Sequence, residues 1–371
     1  MRPTALSCLL VSLLALGATR VHAQILVGQT AGFTGAAAAG VKEITDGAKL
    51  YLAAVNARGG VNGQTIELRS LDDKFDPKLA AENARQLVAD PQLVALFLTR
   101  GTPHSVAILP VLAESKTPLI GPSSGAIALH RPVNPWVFNV RATYQREAER
   151  AVAHLTSVGL TRIAMIRVDD SFGEDGATGA MRGFELAKLK PVLTMKYDRA
   201  KPDFAPLAKA VAATEAQAVV FIGTGQSVAD GVAAIRAAGG MGQIVTLSNN
   251  ASGGFVKQLG ANARGTIVSQ VFPSERSLAV PIIKEANDLA KAKGLPGVSP
   301  AMIEGFAAAK VLVEGLKRAG KNPTREGLVA ALNGLSRFDI GGMELGFSPT
   351  DHTGLDYSDL SIVGADGRFM R

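Results

Sequence analysis

Four short segments of this sequence combine hydroxyl side chains with glycine in a way that can hold an anion. They are Phe33-Thr34-Gly35, Gly101-Thr102-Pro103-His104, Gly121-Pro122-Ser123-Ser124-Gly125 and Gly223-Thr224-Gly225. Where such a segment runs straight into a helix, its free backbone N–H groups and a Ser or Thr hydroxyl make a small site for a carboxylate or carbonyl oxygen. Plain helix capping is the simpler role for any one of them. Arg100 ends a run of apolar residues and stands just ahead of Thr102. Its planar fork suits a carboxylate, and pairing with an internal acid such as Asp73 is the equal alternative. His104 reads as a neutral hydrogen-bonding side chain. Asp169-Asp170-Ser171-Phe172-Gly173 offers an aromatic face to an apolar ligand body, and carboxylates that either meet the ligand or cap the next helix.

Other chemistries find little support. The five histidines, at positions 22, 104, 130, 154 and 352, show no metal-ligand spacing. The single cysteine, Cys8, rules out an intrachain disulfide and a thiolate zinc cluster. Gly223-Thr224-Gly225-Gln226-Ser227-Val228 approaches a dinucleotide loop but lacks the last glycine. There is no Walker A motif, and a hydrolase nucleophile elbow is not expected. A glycosidase is not excluded by counting carboxylates. Charges are scattered, without a basic arm or a basic-aromatic surface, so nucleic-acid binding is not expected.

These residues must be positioned by a folded scaffold. The 371 residues are 47% hydrophobic and 19% charged, a globular composition long enough for two cores. The chain begins with Arg2, an apolar run from Ala5 to Ala18, and Val21-His22-Ala23. That order reads as a signal peptide cleaved after Ala23. Its removal takes away Cys8 and two of the thirty-nine basic residues, leaving thirty-seven against thirty-two acids, a net charge of +5. No later run of eighteen apolar residues suggests a membrane span, so no direct membrane insertion is expected. From Ile25 onward, apolar strand runs alternate with helices: strands at 25–29, 65–69, 93–98 and 118–120, then 162–168, 191–197, 218–222, 243–247 and 266–271. Continuous apolar strands imply sheets covered on both faces, hence two open parallel α/β sheets. Helices at 277–293, 300–318 and 324–333 and strand-like runs at 343–347 and 359–363 complete the chain.

Several longer stretches carry a resemblance. Asn56-Ala57-Arg58-Gly59-Gly60-Val61-Asn62-Gly63 after the first helix is the most specific, joined by 71–90, 111–124, 168–176, 303–316 and 347–369, the last containing Phe347-Ser348-Pro349-Thr350-Asp351-His352. Over 24–371 the chain resembles the periplasmic solute-binding proteins of branched-chain amino-acid (Leu/Ile/Val) ABC transporters, which have the type I periplasmic binding protein fold. The resemblance implies two lobes, each a parallel sheet flanked by helices, with three hinge crossings. Lobe one is expected at 24–141 and 273–336, and lobe two at 142–272 and 337–371. The crossings fall near Val140–Thr143, Val271–Pro273 and Arg337–Ile340. The implied ligand-binding set is Phe33, Arg100, Thr102, His104, Ser123, Ser124, Tyr144, Asp170, Phe172, Thr224, Asn249 and Asn250. Family members use an acid of lobe two to hold an ammonium group. The matching loop here, Ser248-Asn249-Asn250-Ala251-Ser252, has none. The ligand is therefore either a carboxylate without an amino group, an amino acid held by Asp169 or Asp170, or a small polar metabolite. No cofactor, metal or enzymatic activity is expected. The implied function is a monomeric periplasmic receptor that delivers its solute to an ABC-transporter permease. A sensor module serving a signalling partner and a secreted hydrolase or lyase in the same cleft are the alternatives.

Overall fold

The computed structural model describes residues 24–371; the leader and Cys8 lie outside them. Five parallel strands form the first sheet: β1 (Gln24–Ala31), β2 (Thr65–Asp72), β3 (Leu93–Phe97), β4 (Leu119–Ile120) and β5 (Val137–Phe138), in the order β2-β1-β3-β4-β5. Every residue of β3 is buried, as its unbroken apolar sequence requires when helices cover both faces. The crossovers are α1 (Ala38–Ala57), α2 (Pro77–Val88) and α3 (Thr102–Ser115). Pro77 sits in the first turn of α2, where its missing N–H costs nothing. The Asp76 side chain caps that helix by accepting from the Lys78 N–H at 2.8 Å.

The chain then builds α4 (Tyr144–Ser157), β6 (Ile163–Val168), α5 (Ser171–Leu186), β7 (Leu193–Tyr197), α6 (Ala205–Ala213), β8 (Ala218–Ile222), α7 (Gly225–Ala237), β9 (Gln243–Thr246), α8 (Gly253–Leu259) and β10 (Ile267–Gln270). These strands are parallel to one another in the order β10-β9-β8-β6-β7. Three late helices follow, α9 (Pro281–Ala292), α10 (Pro300–Ala319) and α11 (Arg325–Asn333), and then the strands β11 (Phe338–Asp339), β12 (Glu344–Leu345), β13 (Asp359–Val363) and β14 (Phe369–Met370). β13 joins β10 antiparallel and β14 joins β13, extending the second sheet to seven strands.

The late helices return to the first sheet. Ile282, Ile303, Phe306, Leu312 and Leu328 share a core with Ile25, Val27 and Phe97. A second core holds Ile166, Phe221, Val232 and Phe255. Along the chain, core membership changes between Ala142 and Tyr144 and again between Val268 and Val271. The third change departs from the expected crossing at Arg337–Ile340. Ile340, Leu345, Phe347 and Leu355 all remain in the first core, and Val363 is the first fully buried residue of the second. The cause is local: β11 and β12 pair with each other, and the Leu355 N–H reaches the Val140 carbonyl at 3.1 Å. The strand expected over 343–347 shrinks to β12 for the same reason. β5 was not foreseen, because its two residues follow a proline-rich stretch that hides them.

Each parallel sheet reverses its strand order once, between β1 and β3 in the first and between β6 and β8 in the second. Ligand sites form outside the carboxyl ends of strands at such switch points. The loops after β1 and β3 face those after β6 and β8 across one cleft.

Candidate functional site

The chain after β3 is bent to deliver a cation. Leu98 takes a left-handed φ of 54°, and Gly101 has φ 95°. A side chain at Gly101 would place its Cβ 2.7 Å from His104 Nδ1, so the position is limited to glycine by space as well as by backbone. The loop is fastened to the one after β4. Ser123 N–H donates to the Thr99 carbonyl at 2.7 Å, and the Thr102 and Ser124 hydroxyls lie 2.9 Å apart. Arg100, held between them, is 4% exposed. Its Nη1 donates to Ser123 Oγ at 2.6 Å and its Nη2 to the Asn249 backbone carbonyl at 2.5 Å. Among the described residues no carboxylate lies within ion-pair distance of it. The alternative partner is engaged elsewhere: Asp73 accepts from the Phe75 N–H at 2.9 Å and Thr30 Oγ1 at 3.2 Å, and burial pushes its carboxyl up to about 7.

A small, nearly filled cavity opens at this guanidinium, lined by Phe75, Arg100, Gly101, Thr102, Tyr144, Phe172, Arg199, Thr224 and Asn249. The Tyr144 and Phe172 rings meet edge-on at 4.8 Å. On the opposite wall Phe75 stacks on His104 at 4.3 Å. Phe75 follows Lys74, and both have left-handed φ values, 60° and 53°. The Asp72 and Asp73 carboxylates fix that turn by accepting the Lys74 and Phe75 N–H groups at 2.9 Å each. Backbone strain held this way marks a ring whose position is set by its surroundings.

Six of the twelve expected site residues therefore line one cavity: Arg100, Thr102, Tyr144, Phe172, Thr224 and Asn249. Ser123 and Ser124 are fully buried behind it and orient Arg100 and Thr102. The others have different tasks. Phe33 packs against the small cluster of Ala31, Ala37 and Val41. His104 is fully buried, stacks on Phe75 and does not line the cavity. Burial pushes its pKa down to about 4, keeping the ring neutral. Asp170 caps α5 by accepting from the Phe172 and Gly173 N–H groups, and pairs with Arg199 Nε at 2.5 Å. Asn250 fastens loops together through the Gly223 carbonyl, Thr246 Oγ1 and the Gly225 N–H. Phe75 and Arg199 were not foreseen as lining residues. Both follow the carboxyl end of a strand, and that position was the available signal.

Gly121-Pro122-Ser123-Ser124-Gly125 does spell G-x-S-x-G, contrary to the expectation that no nucleophile elbow occurs. Its geometry is not that of an elbow. Ser123 Oγ is buried and accepts from Arg100, and among the described residues no histidine is hydrogen-bonded to it.

The lobes touch along a seam beside the cavity. Glu43 of α1 accepts from the Gly253 and Gly254 N–H groups of α8 at 3.1 and 2.7 Å. Asp175 of α5 accepts from the Ile127 N–H at 3.2 Å, and the Ala301 N–H of α10 donates to the Ala251 carbonyl at 3.0 Å. Beneath the cleft, buried Arg141 pairs with Glu147 of α4 and lies 3.8 Å from Glu304 of α10.

Two sheets presenting their switch-point loops to one small polar-aromatic cavity define a two-lobed solute-binding protein. The sequence profile described as "Periplasmic binding protein" matches residues 24–367, and the chain belongs to that family. Leu/Ile/Val-binding protein homolog 3 of Brucella melitensis is 26% identical over 329 residues, covering 85% of each chain. A substrate-binding periplasmic protein from Ralstonia solanacearum superposes with a TM-score of 0.86 at 32% identity, covering 93% of this chain and 99% of that one. A possible leucine/isoleucine/valine-binding protein from Rhodopirellula baltica gives 0.86 at 25% identity, covering 94% and 97%. The type I periplasmic binding protein fold expected from the sequence is the fold observed.

Proposed function

We propose that this protein is the extracytoplasmic receptor of an ABC importer and captures a small carboxylate that lacks an amino group. Arg100 carries the reading. A guanidinium taken out of water without a carboxylate is costly unless an anion completes its surroundings. Thr102, at the first turn of α3, adds a hydroxyl and helix N–H groups to the same spot. The amino-acid alternative loses support because the two acids that would hold an ammonium are engaged. Asp170 pairs with Arg199, and Asp169 pairs with Lys196 at 3.1 Å and Arg167 at 3.6 Å. Phe172, Tyr144 and Phe75 supply walls for an apolar body. The leader ending at Ala23 carries the protein to the periplasm, and the segments where core membership changes serve as the hinge. The Ser123 hydroxyl is buried and accepts from Arg100, which suits an orienting role.

The test is mass spectrometry of the solute released by denaturing protein purified from its native periplasm. A monocarboxylate without a basic nitrogen supports the reading. An α-amino acid overturns its ligand class.

A further inference from the structure

The cleft holds a second guanidinium that the carboxylate reading does not use. Arg199 follows β7 in the second lobe and lines the same cavity as Arg100. Its Nε is fixed by Asp170 at 2.5 Å, and Asp170 is itself fixed by capping α5. Its guanidinium carbon lies over the ring of Phe75 of the first lobe, 5.2 Å from the centroid. The Nη edge has only a long contact to Thr224 Oγ1 at 3.5 Å. A rigid donor edge thus faces the cavity while its charge is already neutralised. Arg100 differs in having no carboxylate partner among the described residues.

This inference rests on the carboxylate reading of Arg100. We propose that Arg199 is a specificity-determining residue that recognises an uncharged oxygen, a hydroxyl or carbonyl, at the end of the ligand remote from its carboxylate. The ion pair with Asp170 leaves hydrogen-bond donors without net positive charge, so a neutral acceptor is favoured. A second carboxylate would meet Asp170 without an unpaired cation to offset the repulsion. The ligand class is therefore a monocarboxylate with a distal oxygen, its apolar middle against Phe75, Tyr144 and Phe172. The Phe75–Arg199 stack joins the two lobes, so this end is read only when the cleft closes.

Titration calorimetry with two matched probe series tests this: benzoate, 4-hydroxybenzoate and terephthalate; and hexanoate, 6-hydroxyhexanoate and adipate. Wild type is expected to favour the hydroxylated member of at least one series by about ten-fold over the plain acid and to bind the dicarboxylate weakest. Arg199→Ala should erase the hydroxyl preference while carboxylate binding persists. Asp170→Asn keeps a capping oxygen for α5 but frees the charge of Arg199, and should raise dicarboxylate affinity relative to the plain acid. Equal binding of plain and hydroxylated acids by wild type, or a hydroxyl preference that survives in Arg199→Ala, overturns the inference and leaves the Arg100 reading standing. A failure of all six probes, or binding that is indifferent to Arg100→Ala, overturns both.

Discussion

Replacing Arg100 by alanine separates a binding role from a structural one, because the two predict opposite pairs of outcomes. In the structure the guanidinium donates to Ser123 Oγ and the Asn249 carbonyl, and among the described residues no acid lies within ion-pair distance of it. Its removal takes away two hydrogen bonds but also the cost of a buried, unpaired cation. These oppose each other, so the thermal midpoint of the ligand-free protein is expected to change by no more than a few degrees. Affinity behaves differently. A bound carboxylate loses a charge-assisted hydrogen bond worth about 1.5–3 kcal/mol. That is a loss of about ten- to a hundred-fold in Kd. Arg100→Lys restores only part of it, since an ammonium keeps the charge but not the fork. Calorimetric titration with the released solute and its amide, together with thermal melts, reads both quantities. A large fall in ligand-free stability with an unchanged carboxylate-over-amide preference would refute the reasoning.

Three further outcomes follow from the seam and the buried histidine. Glu43→Gln weakens the acceptor for the Gly253 and Gly254 N–H groups; affinities for all solutes should fall together by about five-fold, without a change in selectivity, as expected for a shift toward the open form. A valine at Gly254 would bring its Cβ to 2.5 Å from the Ala39 Cβ; small-angle scattering should then show no contraction on adding solute, and a normal contraction counts against the seam. Burial lowers the His104 pKa to about 4, so between its ordinary 6.5 and 4 the unfolded chain binds the extra proton. Stability should fall as pH drops through that window, by at most about 3 kcal/mol from this group, and urea melts of His104→Phe should lack that part of the pH dependence.

The sequence by itself determined the two sheets. β3 and β8 are unbroken apolar runs with every residue buried, and such runs have stable homes only in sheets covered on both faces. The loops at the carboxyl ends of β3, β6 and β8 were legible for the same reason, and with them Arg100, Thr102, Phe172 and Thr224. What Arg100 does was not legible. An arginine beside a hydroxyl-rich loop and near an aspartate can clamp a ligand or pair internally, and the fold pairs it with neither Asp73 nor Asp170. The tertiary structure also placed Phe75 and Arg199 in the cavity, since their contact joins segments from different lobes that no local pattern relates. It also kept Ile340, Leu345, Phe347 and Leu355 in the first core, which is assembled from distant parts of the chain. Period and composition report which faces are buried. Which charged group meets which partner is set by long-range geometry, and the ligand chemistry proposed for this cleft rests on that pairing.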